Sequence, residues 1–128
     1  MKHQKQLATA LLLAAACSLQ AQRSETLLEK NWKFSKGDIK EASQPEFNDT
    51  QWESVVLPHD WAIEGEFSRD NPSGTGGGAL PGGIGWYRKT FTVDKADEGK
   101  RLYIDFDGVY MNSEVFINGH SLGLRPYG

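Results

Sequence analysis

The chain has a single cysteine, Cys17, among its 128 residues. An internal disulfide framework is therefore excluded, and the fold has to be held by apolar burial. The three histidines, His3, His59 and His120, are scattered along the sequence, and no cluster with metal-ligand spacing is visible. The formal net charge of -3 leaves no basic excess for a nucleic-acid partner. Charge is well mixed, without a block that would mark a tail. The one apolar stretch, Leu7 to Ala16, is too short to span a bilayer. Beyond it there is no sustained helical stripe and no internal repeat.

What is present begins with an export signal. Lys2 and Lys5 precede the apolar stretch, and Ala14 to Ala16 and Ser18 to Ala21 supply small residues for cleavage. This order of charge, apolar run and small residues predicts a secretory signal peptide over 1–21. Two fates of Cys17 stay open. Cleavage after Ala21 discards it. Alternatively, Leu13 to Cys17 resembles a bacterial lipobox, departing from it at Ala14, and membrane attachment would follow only if Cys17 is lipidated. The protein is expected to be exported: periplasmic, at the cell surface or released.

Residues 22–128 amount to one small domain. Four Trp, four Tyr and six Phe suit a β-rich core or an aromatic-lined site. Trp32 to Phe34 alternates, Val55 to Leu57 is a short apolar run stopped by Pro58, and Tyr87 to Val93 alternates clearly. Leu102, Ile104 and Phe106 give the same period over Arg101 to Asp107. Asp49 is placed to accept a hydrogen bond from a nearby backbone N–H. Val115 to Ile117 runs into Asn118-Gly119, which predicts a hairpin with a type I′ turn, because both central residues of that turn need positive φ. Gly65 to Gly85 is a long loop rich in glycine and proline, readable as a mobile flap over a pocket or as a plain surface loop. Within it, Gly74 to Ala79 fits a dinucleotide-binding pattern as text, but no strand precedes it and Leu80-Pro81 follows in place of a helix. The expected fold class is all-β, a sandwich or jelly roll.

Leu57-Pro58-His59-Asp60-Trp61, then Gly85 to Phe91, then Phe106 to Tyr110, then Asn118-Gly119 and Gly123 occur in an order that resembles the N-terminal domain of glycoside hydrolase family 2. Within that family the β-galactosidases are most similar. The resemblance covers almost everything after the signal peptide. It implies a jelly-roll, galactose-binding-like β-sandwich, truncated here before its last strands. An immunoglobulin-like domain and a (β/α)₈ barrel would follow, and the barrel would carry the catalytic acid/base and nucleophile, both Glu. The fragment alone is then expected to be inactive, with no catalytic residue and no cofactor of its own. Its partners would be a carbohydrate substrate and the C-terminal domains of the same chain. A homo-oligomer of the full-length protein stays open.

Four residues are candidates for sugar binding. Asp60 can accept hydrogen bonds from hydroxyls, Trp61 can offer an apolar face, and His59 adjoins both; the competing reading has Asp60 capping a turn and Trp61 filling the core edge. Arg125 can pair with a carboxylate or a hydroxyl. Asp105 and Asp107 would share one strand face, where two carboxylates cannot flank a glycosidic bond from opposite sides, so they are not expected to act as a catalytic pair. A rival reading of the whole is a free-standing carbohydrate-binding or adhesive module.

Overall fold

The computed structural model describes residues 23–128. The expected signal peptide, with Cys17, lies outside the described residues. Among the described residues the elements are five strands and four short 3₁₀ turns. A central strand β1 (Trp32–Lys36) is flanked by β2 (Glu53–Val55) and β3 (Gly85–Arg88), antiparallel on both sides. The second sheet is a hairpin of β4 (Ser113–Ile117) and β5 (His120–Arg125). The chain is all-β, as its alternating apolar pattern predicts.

The local chemistry accounts for the main features. Asn118 and Gly119 have φ of 50° and 81°, the left-handed pair that the type I′ turn requires. A register shift between Glu114 and Phe116 sets Val115 against two residues of β5, Leu122 and Gly123, so the bulge lies on β5. Between the sheets, Trp86 of β3 stacks on Phe116 of β4, with ring centroids 5.8 Å apart and planes 28° apart. Phe34 and Val55, each 6% exposed, and Ala42, 1% exposed, form the buried core. Phe34 sits mid-strand on β1, opposite Tyr87 of β3 and Glu53 of β2.

Three expectations need correction. The strand read over Tyr87 to Val93 is shifted towards the N-terminus and ends at Arg88. In the β1–β3 register Lys33 pairs with Arg88, which sets Asn31 opposite Thr90. Asn31 has φ of 61°, so the chain turns away there and leaves no extended partner for residues further along. Lys89 instead reaches the Lys30 carbonyl with its ammonium, at 2.6 Å. The strand read over Val55 to Leu57 is displaced in the same way: the ladder covers Glu53–Val55, and Leu57 donates to the Glu29 carbonyl at 2.8 Å. Finally, Arg101 to Asp107 forms no ladder among the described residues. Alternation supplies a face, but a strand also needs a neighbour for its N–H and C=O groups. Leu102, Ile104 and Phe106 accordingly stay 56%, 39% and 47% exposed.

Candidate functional site

The residues singled out around Pro58 converge on one aromatic cluster. Its centre is Phe34. Antiparallel pairing of β1 with β3 brings Tyr87 beside it, with centroids 4.9 Å apart. The segment after Pro58 folds His59 edge-on against the same ring at 5.0 Å. Trp61 stacks on Phe34 at 6.4 Å with planes 24° apart. Gly85 is required at this junction. A Cβ there would stand 2.9 Å from Cε2 of Phe34 and 3.0 Å from Nε1 of Trp61.

His59 is the polar hinge of the cluster. Its Nδ1 lies 2.9 Å from the Tyr87 phenol oxygen, which also stands 3.4 Å from the His59 carbonyl. The phenol donates to that carbonyl, and the imidazole tautomer sets which partner donates in the shorter contact. The other ring nitrogen, Nε2, is buried without a hydrogen-bond partner and faces a Glu64 carboxylate oxygen at 3.6 Å. Burial pushes the Tyr87 phenol above its usual value of 10.0, and the carboxylates of Asp60, Glu64 and Glu53 add to that shift. The phenol therefore stays a proton donor throughout the neutral range.

Asp60 opens the 3₁₀ turn Trp61–Glu64, and its Oδ1 accepts from the Ala62 N–H at 3.0 Å. The residue is exposed, and among the described residues nothing bonds its Oδ2. Trp61 is half-buried, and the Lys36 ammonium sits over its ring, 4.4 Å from the centroid. Phe34 and Lys36 thus occupy much of the ring surface that a sugar could use. Arg125 is elsewhere. It lies on β5 opposite Ser113 and lines a hollow of about 660 Å³ with Ile104, Phe106, Val115 and Tyr127. Among the described residues no hydrogen bond or ion pair joins it to His59, Asp60 or Trp61. The structure brings three of the four candidates together and leaves the fourth apart.

Two features rest on contacts that sequence pattern does not carry. Arg88, 18% exposed at its side chain, gathers the segment after Ala42. It donates to Asp49 at 2.9 Å, to the carbonyls of Gln44 and Pro45 at 3.1 and 3.3 Å, and to the carbonyl of Ala42. Its guanidinium also lies 5.5 Å from the Phe47 ring centroid. Asp49 is thus an ion-pair partner and not a local cap; the capping oxygen belongs to Asn48, which accepts from the Thr50 N–H and hydroxyl. Fork geometry of this kind is what arginine supplies and lysine does not. The second feature is the loop from Gly65, which is closed by internal hydrogen bonds. The Gly74–Ala79 run forms a 3₁₀ turn at Thr75–Gly77, without the strand and helix that a phosphate site needs.

Chemically, the cluster presents an exposed carboxylate beside packed aromatics, a combination suited to accepting hydrogen bonds from hydroxyls. Among the described residues no group of three His, Cys, Asp or Glu could hold a metal ion.

No family model matches the chain. Individual relatives do. A β-galactosidase of Bacteroides ovatus, BoGH2A, is 64% identical over 114 residues, which are 89% of this chain and 13% of that protein. A solved β-glycosidase from Bacteroides vulgatus superposes with a TM-score of 0.77 at 48% identity, over 82% of this chain and 14% of that one. A solved glycosyl hydrolase family 2 member from Bacteroides cellulosilyticus gives 0.76 at 38% identity, over 80% and 14%. Further relatives carry the name β-glucuronidase. The chain spans 10–14% of the length of these curated relatives.

Proposed function

The chain belongs to glycoside hydrolase family 2, and from that premise we propose that it is the front of the N-terminal sugar-binding β-sandwich of an exported, exo-acting β-galactosidase. The observation that carries the reading is the 64% identity to a β-galactosidase, held across 89% of this chain. The domain lies at 22–128, after a signal peptide over 1–21. In the full-length enzyme two carboxylates outside this segment cleave a terminal β-linked sugar. One protonates the leaving oxygen, and the other forms a glycosyl intermediate that water then hydrolyses.

This segment shapes the edge of the pocket. The Asp60 carboxylate, held at a turn by Ala62, accepts from a sugar hydroxyl through its free oxygen. His59 and Trp61 fix that turn against Phe34 and Tyr87, so their part in sugar binding is mostly to aim Asp60. Arg125 belongs to the second sheet and contacts carbohydrate only if the rest of the sandwich brings it to the pocket. The apolar side chains of Leu102, Ile104 and Phe106 take their cover from the remaining strands of the same sandwich.

The test is hydrolysis of aryl β-D-galactoside, β-D-glucuronide and β-D-mannoside by the full-length protein. Preferential release from the galactoside supports the reading. Preference for the glucuronide moves the protein to the other named group of relatives. Sugar binding with no hydrolysis of any of the three replaces the enzyme with a carbohydrate-binding module.

A further inference from the structure

The glycine-rich loop is fastened at its ends and across its middle. Asn71 is the central staple. Its Nδ2 donates to the carbonyls of Glu66 and Ala79, at 3.0 and 2.7 Å, and its own carbonyl accepts from the Gly74 N–H at 2.9 Å. The Ser68 N–H also donates to the Ala79 carbonyl, at 3.0 Å. Ser73 bonds the Leu80 carbonyl with its hydroxyl and accepts the Gly77 N–H at 3.0 Å. At the base the Pro81 ring lies against Gly65, where a Cβ would overlap it. The base is also tied to the aromatic cluster, because Gly65 ends the turn opened by Asp60 and Gly85 packs on Phe34 and Trp61.

A segment with this much glycine has a large conformational entropy to lose and would move freely if nothing held it. One primary amide offers two N–H donors, so Asn71 can satisfy two carbonyls from opposite limbs of the loop at once. We infer that Asn71 is a positioning residue for sugar binding, holding the loop 65–84 as a preformed wall beside the 59–61 turn. The inference rests on the glycosidase reading above. A wall already ordered costs the substrate nothing to arrange, whereas a released loop must be ordered at every binding event. Loosening it therefore raises KM more than it lowers kcat.

The experiment compares wild type, Asn71→Asp and Asn71→Ala in the full-length enzyme, with two readouts. Hydrogen exchange is followed at the loop amides, including Gly74 and Ala79, and kcat and KM are measured on an aryl β-galactoside. Asn71→Asp keeps the side-chain size and removes both donors. The expected result is faster exchange confined to the loop, with KM raised about tenfold and kcat within about twofold of wild type. Ser73→Ala should move both readouts the same way by less, and it carries the test if the Asn71 variants do not fold. Unchanged loop exchange would overturn the inference, as would faster exchange with an unaltered KM. A wild-type protein inert towards every glycoside would sink the glycosidase reading itself, and that failure shows before any variant is made.

Discussion

The phenol oxygen of Tyr87 stands 2.9 Å from Nδ1 of His59, 28 residues away in sequence, and this contact joins strand β3 to the turn that carries Asp60. Its geometry defines what Tyr87→Phe should do. The ring still packs on Phe34, but Nδ1 loses its hydrogen-bond partner. The loss is expected to be about 1–2 kcal/mol of unfolding free energy, read by urea denaturation.

The same pair has a pH signature. The folded-state pKa of Tyr87 lies above the unfolded 10.0, so folding favours the protonated phenol. That contribution is fully present below pH 10 and is lost as pH rises through the folded pKa. Wild type should therefore lose stability on the alkaline side more steeply than Tyr87→Phe. Parallel urea midpoints for the two proteins from pH 9 to 11.5 would contradict the assignment.

Gly85→Ala tests the packing of the cluster. An alanine in a strand is ordinarily neutral or mildly stabilising relative to glycine. Here its methyl would enter the space of Phe34 Cε2, at 2.9 Å, and Trp61 Nε1, at 3.0 Å. With Phe34 only 6% exposed, the ring cannot swing out to water. The expected outcome is a loss of about 1–3 kcal/mol by thermal or urea unfolding. A gain in stability would show that the cluster is looser than described.

These residues also show how far the sequence could be read. The Asn118-Gly119 turn was legible because its demand for positive φ is local to two residues. The all-β class was legible from alternation, and the motif around Pro58 marked the segment that packs on Phe34 and Tyr87. The His59–Tyr87 contact was not, because it depends on β1 pairing with both neighbours. Short-range chemistry favours a local cap at Asp49, whereas its actual partner Arg88, 39 residues on, is set by tertiary structure. The alternation from Arg101 to Asp107 gives a face without saying what pairs with it. Composition marked Gly65 to Gly85 as irregular, but not that the Asn71 amide spans it.

Asp60 has two roles that substitutions can separate. Asn is as good an N-cap as Asp, so Asp60→Asn should keep unfolding stability within about 0.5 kcal/mol of wild type, whereas Asp60→Ala should lose about 1 kcal/mol. If the carboxylate accepts from the terminal sugar, both variants of the full-length enzyme should lose about 10- to 100-fold in kcat/KM. An Asp60→Asn enzyme with unaltered kcat/KM would leave Asp60 with the cap alone.

The exposed apolar side chains predict the behaviour of residues 22–128 on their own. Tyr103, Tyr110, Leu122, Leu124 and Tyr127 are 59–86% exposed, alongside the unpaired stretch from Arg101 to Asp107. The isolated segment should bind a hydrophobic dye such as ANS and associate as concentration rises. A monomer at all concentrations, with a sharp thermal transition and no dye binding, would mean that this face needs no cover.

The central claim is that this segment serves a β-galactosidase. The most direct measurement is the initial rate of aryl β-D-galactoside hydrolysis by the full-length protein, with aryl β-D-glucuronide and the isolated segment 22–128 as comparisons. The account predicts turnover of the galactoside well above that of the glucuronide, and none by the isolated segment. A full-length protein that turns over neither glycoside, or only the glucuronide, would contradict it.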